Sequence, residues 1–358
     1  MRMNKIARRV LTLVLAAAML SGLAALAAEP VDVDAPCSVT LDFGDAPEAL
    51  DEYAAADVQQ AAAAQAELLA AEVQLDVYQL ATAELQEGYD AYTFAYAAPF
   101  DTLDIPEDMT EDDMKTLAAE AYALIDTEVV PYTSGVKAAD EQYAEIEEMD
   151  AGLYLILPHT EGDEALTVLT DSFEFTYNPV LVSLPTRSGE GVIKTSDDGE
   201  WLYDVDVNLV NKCEFEPRLG SIEISKEYTS LPTTGVTCIF QVEATQYGEN
   251  VFSNVYSMFF SDDTYQTQVV SGIPVGAQVT VTELYAGPGY QLVSSDGTNI
   301  TITAAGTQIS GTAEFVNEPG TPGHGGSVTN HYTAEESAME GEYSWSVTQQ
   351  QSTAAVMQ

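Results

Sequence analysis

Cysteine and basic residues are both scarce in this sequence of 358 residues. Three cysteines are too few to form a disulfide framework in a chain of this size. There are 11 lysines and arginines against 58 aspartates and glutamates, which gives a formal net charge of −47. Nucleic-acid binding needs a basic surface that neutralises phosphates, so we exclude nucleic acid as a partner. The same deficit excludes binding to anionic lipid.

The acidic composition does not make the chain a disordered tail. Hydrophobic residues form 46% of the sequence and charged residues only 19%, so the chain has enough apolar side chains to bury a core. Domains typically contain roughly 100–200 residues, and the length therefore predicts two of them.

The first residues have the features of a secretory signal peptide. Four of the 11 basic residues lie within residues 2–9, an uncharged run follows at Val10–Leu20, and Ala25 and Ala27 occupy the small-residue positions of a cleavage site. The apolar run is short for a membrane span of roughly 20 residues. We therefore predict a signal peptide at 1–27 and a mature protein that begins near Ala28. That protein is secreted, extracellular or on the cell surface, with no membrane insertion after cleavage.

The three cysteines leave two interpretations open. Cys37 and Cys213 lie near the two ends of the first predicted domain and are the candidate pair for a disulfide. Alternatively, both cysteines and Cys238 are small buried apolar side chains. No Cys-x-x-Cys occurs and the three histidines lie far from the cysteines, so we predict no metal site and no cofactor.

The first domain, 28–216, combines strands with a helical insertion. Cys37–Phe43 alternates in polarity as a strand does, and the Ala-rich stretch 47–72 favours a helix. Thr110–Ile125 is the clearest helix, because Thr110 can cap it and three acids follow in its first turn. From residue 150 onward short alternating strands predict a β-sandwich; they are 153–157, 172–177, 179–184 and 202–209.

The second domain, 217–318, has about seven predicted strands in about 100 residues, the number found in one immunoglobulin-sized sandwich. These strands are 221–226, 237–243, 257–260, 266–270, 278–284, 299–304 and 312–317. A Gly/Pro-rich linker and a polar tail follow at 319–358, and we expect this segment to be poorly ordered. The predicted fold class is mainly β, with two immunoglobulin-like sandwiches.

Three polar residues of the second domain carry a resemblance to a known family. Gly276–Glu283 (GAQVTVTE) followed by Gly289-Tyr290 resembles the E-box of Cna B-type domains, also called SpaA-like or prealbumin-like, of Gram-positive pilins and adhesins. Gly220–Lys226 (GSIEISK) is similar to the first strand of that family, and Glu314–Asn317 (EFVN) to its last strand. The alternative is that Lys226, Glu283 and Asn317 are polar residues facing solvent.

The resemblance implies an intramolecular isopeptide bond between Lys226 and Asn317. Burial would drive the lysine toward its neutral, nucleophilic amine and keep a glutamic acid protonated. Lys226 would be the nucleophile and Asn317 the electrophile, while Glu283 would act as general acid and base. Such a bond would join the first and last strands of the sandwich.

The first domain resembles the N-terminal domain of sortase-assembled pilins. The similar segments are Ala151–Leu157, Asn178–Pro185 and Trp201–Val207. In that family a lysine soon after the tryptophan strand accepts the next subunit. Here the candidate is Lys212, displaced by two positions, and the alternative is an ordinary solvated lysine. The segment 231–235 (LPTTG) matches a sorting signal in letters, but it precedes a strand and is predicted to be a turn.

Two classes of function follow from these observations. The resemblance implies an exported structural or adhesive surface protein, a non-enzymatic pilin-like subunit. Its partners would be other pilin subunits or a sortase, if the sequence is truncated at its C-terminus, and a host or environmental surface. The alternative is a secreted glycan-acting enzyme or a ligand-binding module with an acidic surface. No hydrolase or phosphate-binding motif supports the enzyme.

Overall fold

The computed structural model describes residues 30–50, 54–103, 110–187, 200–320, 327–336 and 343–352. The predicted signal peptide lies outside these ranges. The chain divides into two compact units between Pro217 and Arg218, which we call the N-terminal and C-terminal units. Strands predominate in both, so the prediction of a mainly β protein is confirmed. No helix of the described ranges is long and apolar enough to span a bilayer.

Two α-helices are described, both in the N-terminal unit: α1 (Ala56–Ala70) and α2 (Glu111–Ala123). Runs of alanine, a strong helix former, explain α1. The predicted cap of α2 is a full capping box, because the Thr110 hydroxyl accepts from the Asp113 amide at 3.2 Å and the Asp113 carboxylate accepts from the Thr110 amide at 2.9 Å. Leu68 of α1 and Leu117 of α2 both enter the core of this unit.

The N-terminal unit contains 13 described strands. They are β1 (Cys37–Asp42), β2 (Val73–Leu85), β3 (Tyr92–Tyr96), β4 (Thr133–Lys137), β5 (Tyr143–Met149), β6 (Gly152–His159), β7 (Thr167–Leu169), β8 (Phe173–Tyr177), β9 (Val180–Leu184), β10 (Thr186–Arg187), β11 (Trp201–Leu202), β12 (Asp204–Asn208) and β13 (Cys213–Pro217).

These strands form several small sheets. The largest has the order β3-β2-β6-β9, with β4 also paired to β2. Strand β6 lies in its interior, and seven of its eight residues are buried. A second sheet, β12-β1-β5, places β1 parallel to β12 with Val39 opposite Val205. The remaining sheets are β13-β8-β7 and the pair β10-β11.

The C-terminal unit contains ten described strands. They are β14 (Leu219–Tyr228), β15 (Val236–Gln246), β16 (Glu249–Phe260), β17 (Tyr265–Pro274), β18 (Gln278–Tyr285), β19 (Tyr290–Asp296), β20 (Asn299–Thr301), β21 (Ile309–Pro319), β22 (Ser327–Glu336) and β23 (Tyr343–Ser352).

Two four-stranded sheets enclose the core of this unit, in the orders β17-β14-β21-β19 and β16-β15-β18-β20. The first and last sandwich strands, β14 and β21, are parallel neighbours. The segment 231–235 lies between β14 and β15, and its last residue, Gly235, has φ +75°, as expected of the predicted turn.

Two parts of the C-terminal unit differ from the sequence predictions. Strand β19 was not predicted, because Leu292 and Val293 are adjacent and both exposed, so the segment lacks alternation. The segment after residue 319, expected to be poorly ordered, contains the antiparallel hairpin β22-β23. Its β-branched and aromatic residues, such as Val328, Tyr332 and Val347, favour strands despite the polar composition.

Candidate isopeptide site

The alternation of the strands brings Lys226, Glu283 and Asn317 into the core of the C-terminal unit. On β14, Lys226 continues the inward-facing series of Ile222 and Ile224. Glu283 follows Val279 and Val281 on β18 in the same way, and Asn317 follows Ala313 and Phe315 on β21. Each polar side chain therefore occupies a position where the period of two would place an apolar residue. The alternative of three solvent-facing residues does not describe this structure.

The three residues come from both sheets of the sandwich. Strands β14 and β21 run parallel in one sheet, with Tyr228 directly opposite Asn317. Glu283 comes from the facing sheet, where it pairs with Phe240 of β15. The carboxyl group thus reaches across the core toward the two residues on the opposite sheet.

One carboxyl oxygen contacts both nitrogens. Lys226 Nζ lies 3.0 Å from Glu283 Oε1, and Asn317 Nδ2 donates a hydrogen bond to the same oxygen at 2.8 Å. The side chains of Lys226 and Glu283 are 0% and 3% exposed, and Asn317 is 0% exposed. Water therefore does not separate these groups.

Two polar atoms of the site lack a hydrogen-bond partner among the described residues. They are Lys226 Nζ, whose contact with Glu283 is close but poorly directed, and Asn317 Oδ1. A buried polar atom without a partner costs about 1–3 kcal/mol. The site is therefore an unfavourable arrangement as long as the two residues remain unlinked.

The surroundings lower the pKa of Lys226. Burial is the main cause, because it penalises the ammonium form, and the nearby Glu283 carboxyl opposes it. The Tyr228 ring covers the amine, with its centroid 4.8 Å from Nζ. Phe260 and Tyr290 pack edge-on against that ring, each at 4.9 Å between centroids. Together the rings keep water away from the amine, and this desolvation favours its neutral, nucleophilic form.

The other predicted site residues lie in the N-terminal unit. Lys212 is half-buried in a short 3-10 turn just before β13, and its backbone carbonyl accepts from the Asn178 amide at 2.7 Å. Cys37 and Cys213 are free thiols, so the predicted disulfide is wrong in this structure. Each thiol instead faces a backbone carbonyl close to it in sequence: Cys37 Sγ lies 3.7 Å from Ala35 O, and Cys213 Sγ lies 3.9 Å from Val210 O. The alternative predicted three buried cysteines; Cys37 and Cys238 are buried, whereas Cys213 is half-buried.

Sequence reasoning missed a second buried lysine. Lys137 ends β4 and is 0% exposed, and its Nζ donates to the carbonyls of Leu69, Ala71 and Ala138 at 2.7–3.0 Å. Leu69 and Ala71 lie at the C-terminal end of α1, where a cation complements the helix dipole. No signal in the sequence separates this lysine from an exposed one, because its partners are backbone atoms.

A cluster around Asp90 was also missed. Its carboxylate accepts from the Val31 amide at 2.7 Å, from Trp201 Nε1 at 2.9 Å and from Arg187 Nη2 at 2.6 Å. The Arg187 guanidinium lies over the Trp201 ring, 4.4 Å from its centroid. These contacts tie the first described residues to β10 and β11. The described ranges contain no group of three or more metal-ligating side chains.

The chain is similar to several solved structures, whereas the comparisons with protein families and curated proteins found no match. A streptococcal ancillary pilin is 12% identical over 88% of this chain and 83% of its own, with a TM-score of 0.23. The full-length major pilin SpaD from Corynebacterium diphtheriae is 11% identical over 81% of this chain and 99% of its own, with a TM-score of 0.24.

A third solved structure is a bacterial adhesin from Mobiluncus mulieris that contains intramolecular disulfide, isopeptide and ester bond cross-links. It is 13% identical over 70% of this chain and 85% of its own, with a TM-score of 0.23. These three matches are Gram-positive pilins and adhesins, the kind of protein that the sequence motifs resemble. TM-scores this low do not show that the whole chain shares the fold of these proteins.

Proposed function

We propose that Lys226 and Asn317 condense to an intramolecular isopeptide bond, with Glu283 as the proton relay. The observation that carries this proposal is the shared oxygen: Glu283 Oε1 lies within 3.0 Å of both Lys226 Nζ and Asn317 Nδ2. The nitrogen that must lose a proton and the nitrogen that must gain one therefore face the same acceptor.

The reaction balances without a co-reactant. The Lys226 amine attacks Asn317 Cγ, and a bond forms between Nζ and Cγ. Glu283 takes a proton from Nζ and passes it to Nδ2, the Cγ–Nδ2 bond breaks, and ammonia leaves. The product is a secondary amide. It replaces both the free amine of Lys226 and the primary carboxamide of Asn317. Bond formation thus consumes the lysine nitrogen that lacks a well-directed partner.

Intact-mass spectrometry of the full chain tests the bond. We expect the wild-type mass to lie about 17 Da below the mass of the unlinked chain, the loss of one ammonia. Lys226→Met and Glu283→Ala should each have the full calculated mass. Lys115→Met is the matched control, because this exposed lysine lies in the other unit, and it should retain the loss. A wild-type chain that folds with the full mass would refute the proposal.

At the level of the whole protein, we infer a non-enzymatic structural or adhesive role outside the cell, like that of a pilin subunit. A cross-link between the first and last strands suits a sandwich that bears load, since pulling on the two ends would then not separate β14 from β21. The predicted signal peptide supports export, and N-terminal sequencing of the mature protein should start near Ala28.

Lys212 is the proposed acceptor if the chain is polymerised by a sortase-type transpeptidase. It is half-buried in a turn, whereas Lys137 and Lys226 are fully buried. In a transpeptidation assay with an LPxTG donor peptide, Lys212→Ala should abolish labelling. Lys115→Ala should leave labelling unchanged, because its exposed side chain tests for non-specific acceptance. Labelling that persists without Lys212 would exclude it as the acceptor.

A further inference from the structure

The hydroxyl group of Tyr228 lies next to the carboxamide that the proposed reaction consumes. Tyr228 follows Lys226 by two residues on β14, is 1% exposed and lies directly opposite Asn317 on β21. Its hydroxyl donates to the backbone carbonyl of Ala286 at 2.7 Å. Asn317 Nδ2 donates to the same carbonyl at 3.5 Å. One backbone oxygen therefore connects the tyrosine and the leaving nitrogen.

The orientation of the Asn317 carboxamide depends on its nitrogen. Oδ1 has no hydrogen-bond partner among the described residues, whereas Nδ2 has two acceptors, Glu283 Oε1 and Ala286 O. With a short hydrogen bond to Glu283 Oε1 and a longer one, at 3.5 Å, to Ala286 O, Nδ2 favours one plane of the carboxamide. A nucleophile attacks a carboxamide carbon from the face of its plane and not from the edge. The orientation of the plane therefore decides whether the Lys226 amine can attack Cγ.

The turn that carries Ala286 is closely packed. Gly287 has φ +96°, and a Cβ at this position would lie 2.2 Å from Val236 Cγ2 and 3.5 Å from the Tyr228 hydroxyl. Glycine is therefore required where the backbone passes between β15 and Tyr228. The Ala286 carbonyl belongs to the peptide group that joins Ala286 to this glycine, so the close packing at Gly287 limits where that carbonyl can lie.

We propose that Tyr228 is a positioning residue for isopeptide formation. Its hydroxyl holds the Ala286 carbonyl against Asn317 Nδ2, so that the carboxamide presents Cγ to Lys226. The inference depends on the proposed bond and adds to it a second acceptor on the leaving nitrogen. Nδ2 gains a proton from Glu283 during the reaction. Until ammonia departs, the Ala286 carbonyl continues to accept a hydrogen bond from one of the two hydrogens that Nδ2 carried at the start.

The experiment is a time course of bond formation in the full chain. The protein is made by cell-free translation, synthesis is stopped, and samples are quenched at intervals for intact-mass analysis. Tyr228→Phe keeps the ring over the amine and removes the hydroxyl. We expect conversion about tenfold slower than wild type, the effect of losing one positioning hydrogen bond. Tyr256→Phe is the matched control, since this tyrosine lies on β16 and its hydroxyl accepts from Asn254 Nδ2 at 3.3 Å, and it should convert at the wild-type rate.

The pH profile separates positioning from loosened packing. If the hydroxyl only positions the carboxamide, Tyr228→Phe lowers the rate equally at every pH, because the Lys226 amine remains buried. A profile that shifts toward the ordinary lysine pKa would mean that the hydroxyl acts by excluding water, and the inference would be wrong. Gly287→Ala provides a second test, since it moves the carbonyl and keeps the hydroxyl; it too should slow conversion.

The outcomes for this inference and for the bond are distinct. A wild-type chain that never loses ammonia refutes the bond itself. The other outcome is that the wild-type chain loses ammonia and the Tyr228→Phe and Gly287→Ala chains convert equally fast. That result supports the bond and refutes the positioning role of Tyr228.

Discussion

Lys226 Nζ lies 3.0 Å from Glu283 Oε1 in the interior of the C-terminal sandwich, and the two side chains are 0% and 3% exposed. Replacing such a pair with apolar residues is often neutral or stabilising, while removing one partner is costly. A buried pair is therefore weak evidence for stability, and a chemical role explains its presence better.

The first prediction concerns the stability that the cross-link provides. The linked residues are 91 positions apart in the sequence (317 minus 226). By the chain-entropy estimate for disulfides, a cross-link of that span stabilises the folded state by about 4–5 kcal/mol. Lys226→Met keeps a long apolar side chain and removes the amine, so the cross-link cannot form. Hydrogen exchange in residues 219–319 should then become faster by the factor that corresponds to the lost stabilisation. Exchange at wild-type rates in a Lys226→Met chain would contradict this.

The second prediction is the pH dependence of bond formation. Burial lowers the pKa of Lys226 below its usual value of 10.5, so the neutral amine is populated at a lower pH than for an exposed lysine. The rate should rise with pH and level off below pH 10.5, in quenched intact-mass time courses. A rate that still rises steeply at pH 10.5 would mean that the amine is solvated before it reacts.

The location of this site could be predicted from the sequence because three motifs resemble those of a known family, whereas the strand pattern alone left a solvent-facing position open for each residue. Lys226, Glu283 and Asn317 each extend an apolar series at a period of two, so the strand that buries its neighbours also buries them. What the pattern could not give is their contact across two sheets. That contact depends on the parallel pairing of β14 with β21, which the strand pattern alone does not specify.

The N-terminal unit was harder to predict for the same reason. Its helices follow local rules of propensity and capping, and both were predicted. Cys37 and Cys213 are near the two ends of the domain in sequence, but each thiol faces a backbone carbonyl of its own segment, so sequence position did not predict their contacts. Lys137 and Asp90 bind backbone groups and residues far along the chain, for which local sequence carries no signal.

The third prediction tests Lys137. Its buried Nζ donates to three backbone carbonyls, two of them at the end of α1, and Lys137→Met removes all three hydrogen bonds. Losing these charge-assisted bonds should destabilise the N-terminal unit by about 1–3 kcal/mol. Faster hydrogen exchange in residues 56–70 would report this. Lys115→Met, which removes an exposed lysine, should leave that exchange unchanged.

The fourth prediction concerns the thiols. Burial raises the pKa of Cys37 to about 12 and that of Cys238 to about 11, so neither forms a reactive thiolate at neutral pH. Alkylation of the native protein at pH 8 should therefore spare both. Alkylation after denaturation without reductant should label all three cysteines, as free thiols require. Labelling of only one cysteine would show that Cys37 and Cys213 are paired after all.

The fifth prediction concerns acid and the Asp90 cluster. Burial acts to raise the pKa of Asp90, but hydrogen bonds from Trp201 and the Val31 amide, together with Arg187, outweigh it and hold the pKa below the usual 3.8. A carboxyl group whose pKa is lower in the folded state than in the unfolded state stabilises the fold. This contribution has its full value at pH values above the unfolded-state pKa. That contribution disappears as pH falls through the folded value.

Asp90→Asn isolates this contribution, since the amide oxygen can still accept from Val31 and Trp201 while the charge facing Arg187 is lost. Because the Asp90 side chain is 37% exposed, the difference from wild type should be on the order of 1 kcal/mol. It should stay constant between about pH 7 and pH 5 and shrink below about pH 4, where the wild-type carboxylate becomes protonated. Urea unfolding followed by Trp201 fluorescence in a Trp345→Phe background measures it, since the sequence has two tryptophans. A difference that persists undiminished at pH 2 would mean that Asp90 stabilises the unit by shape and not by charge.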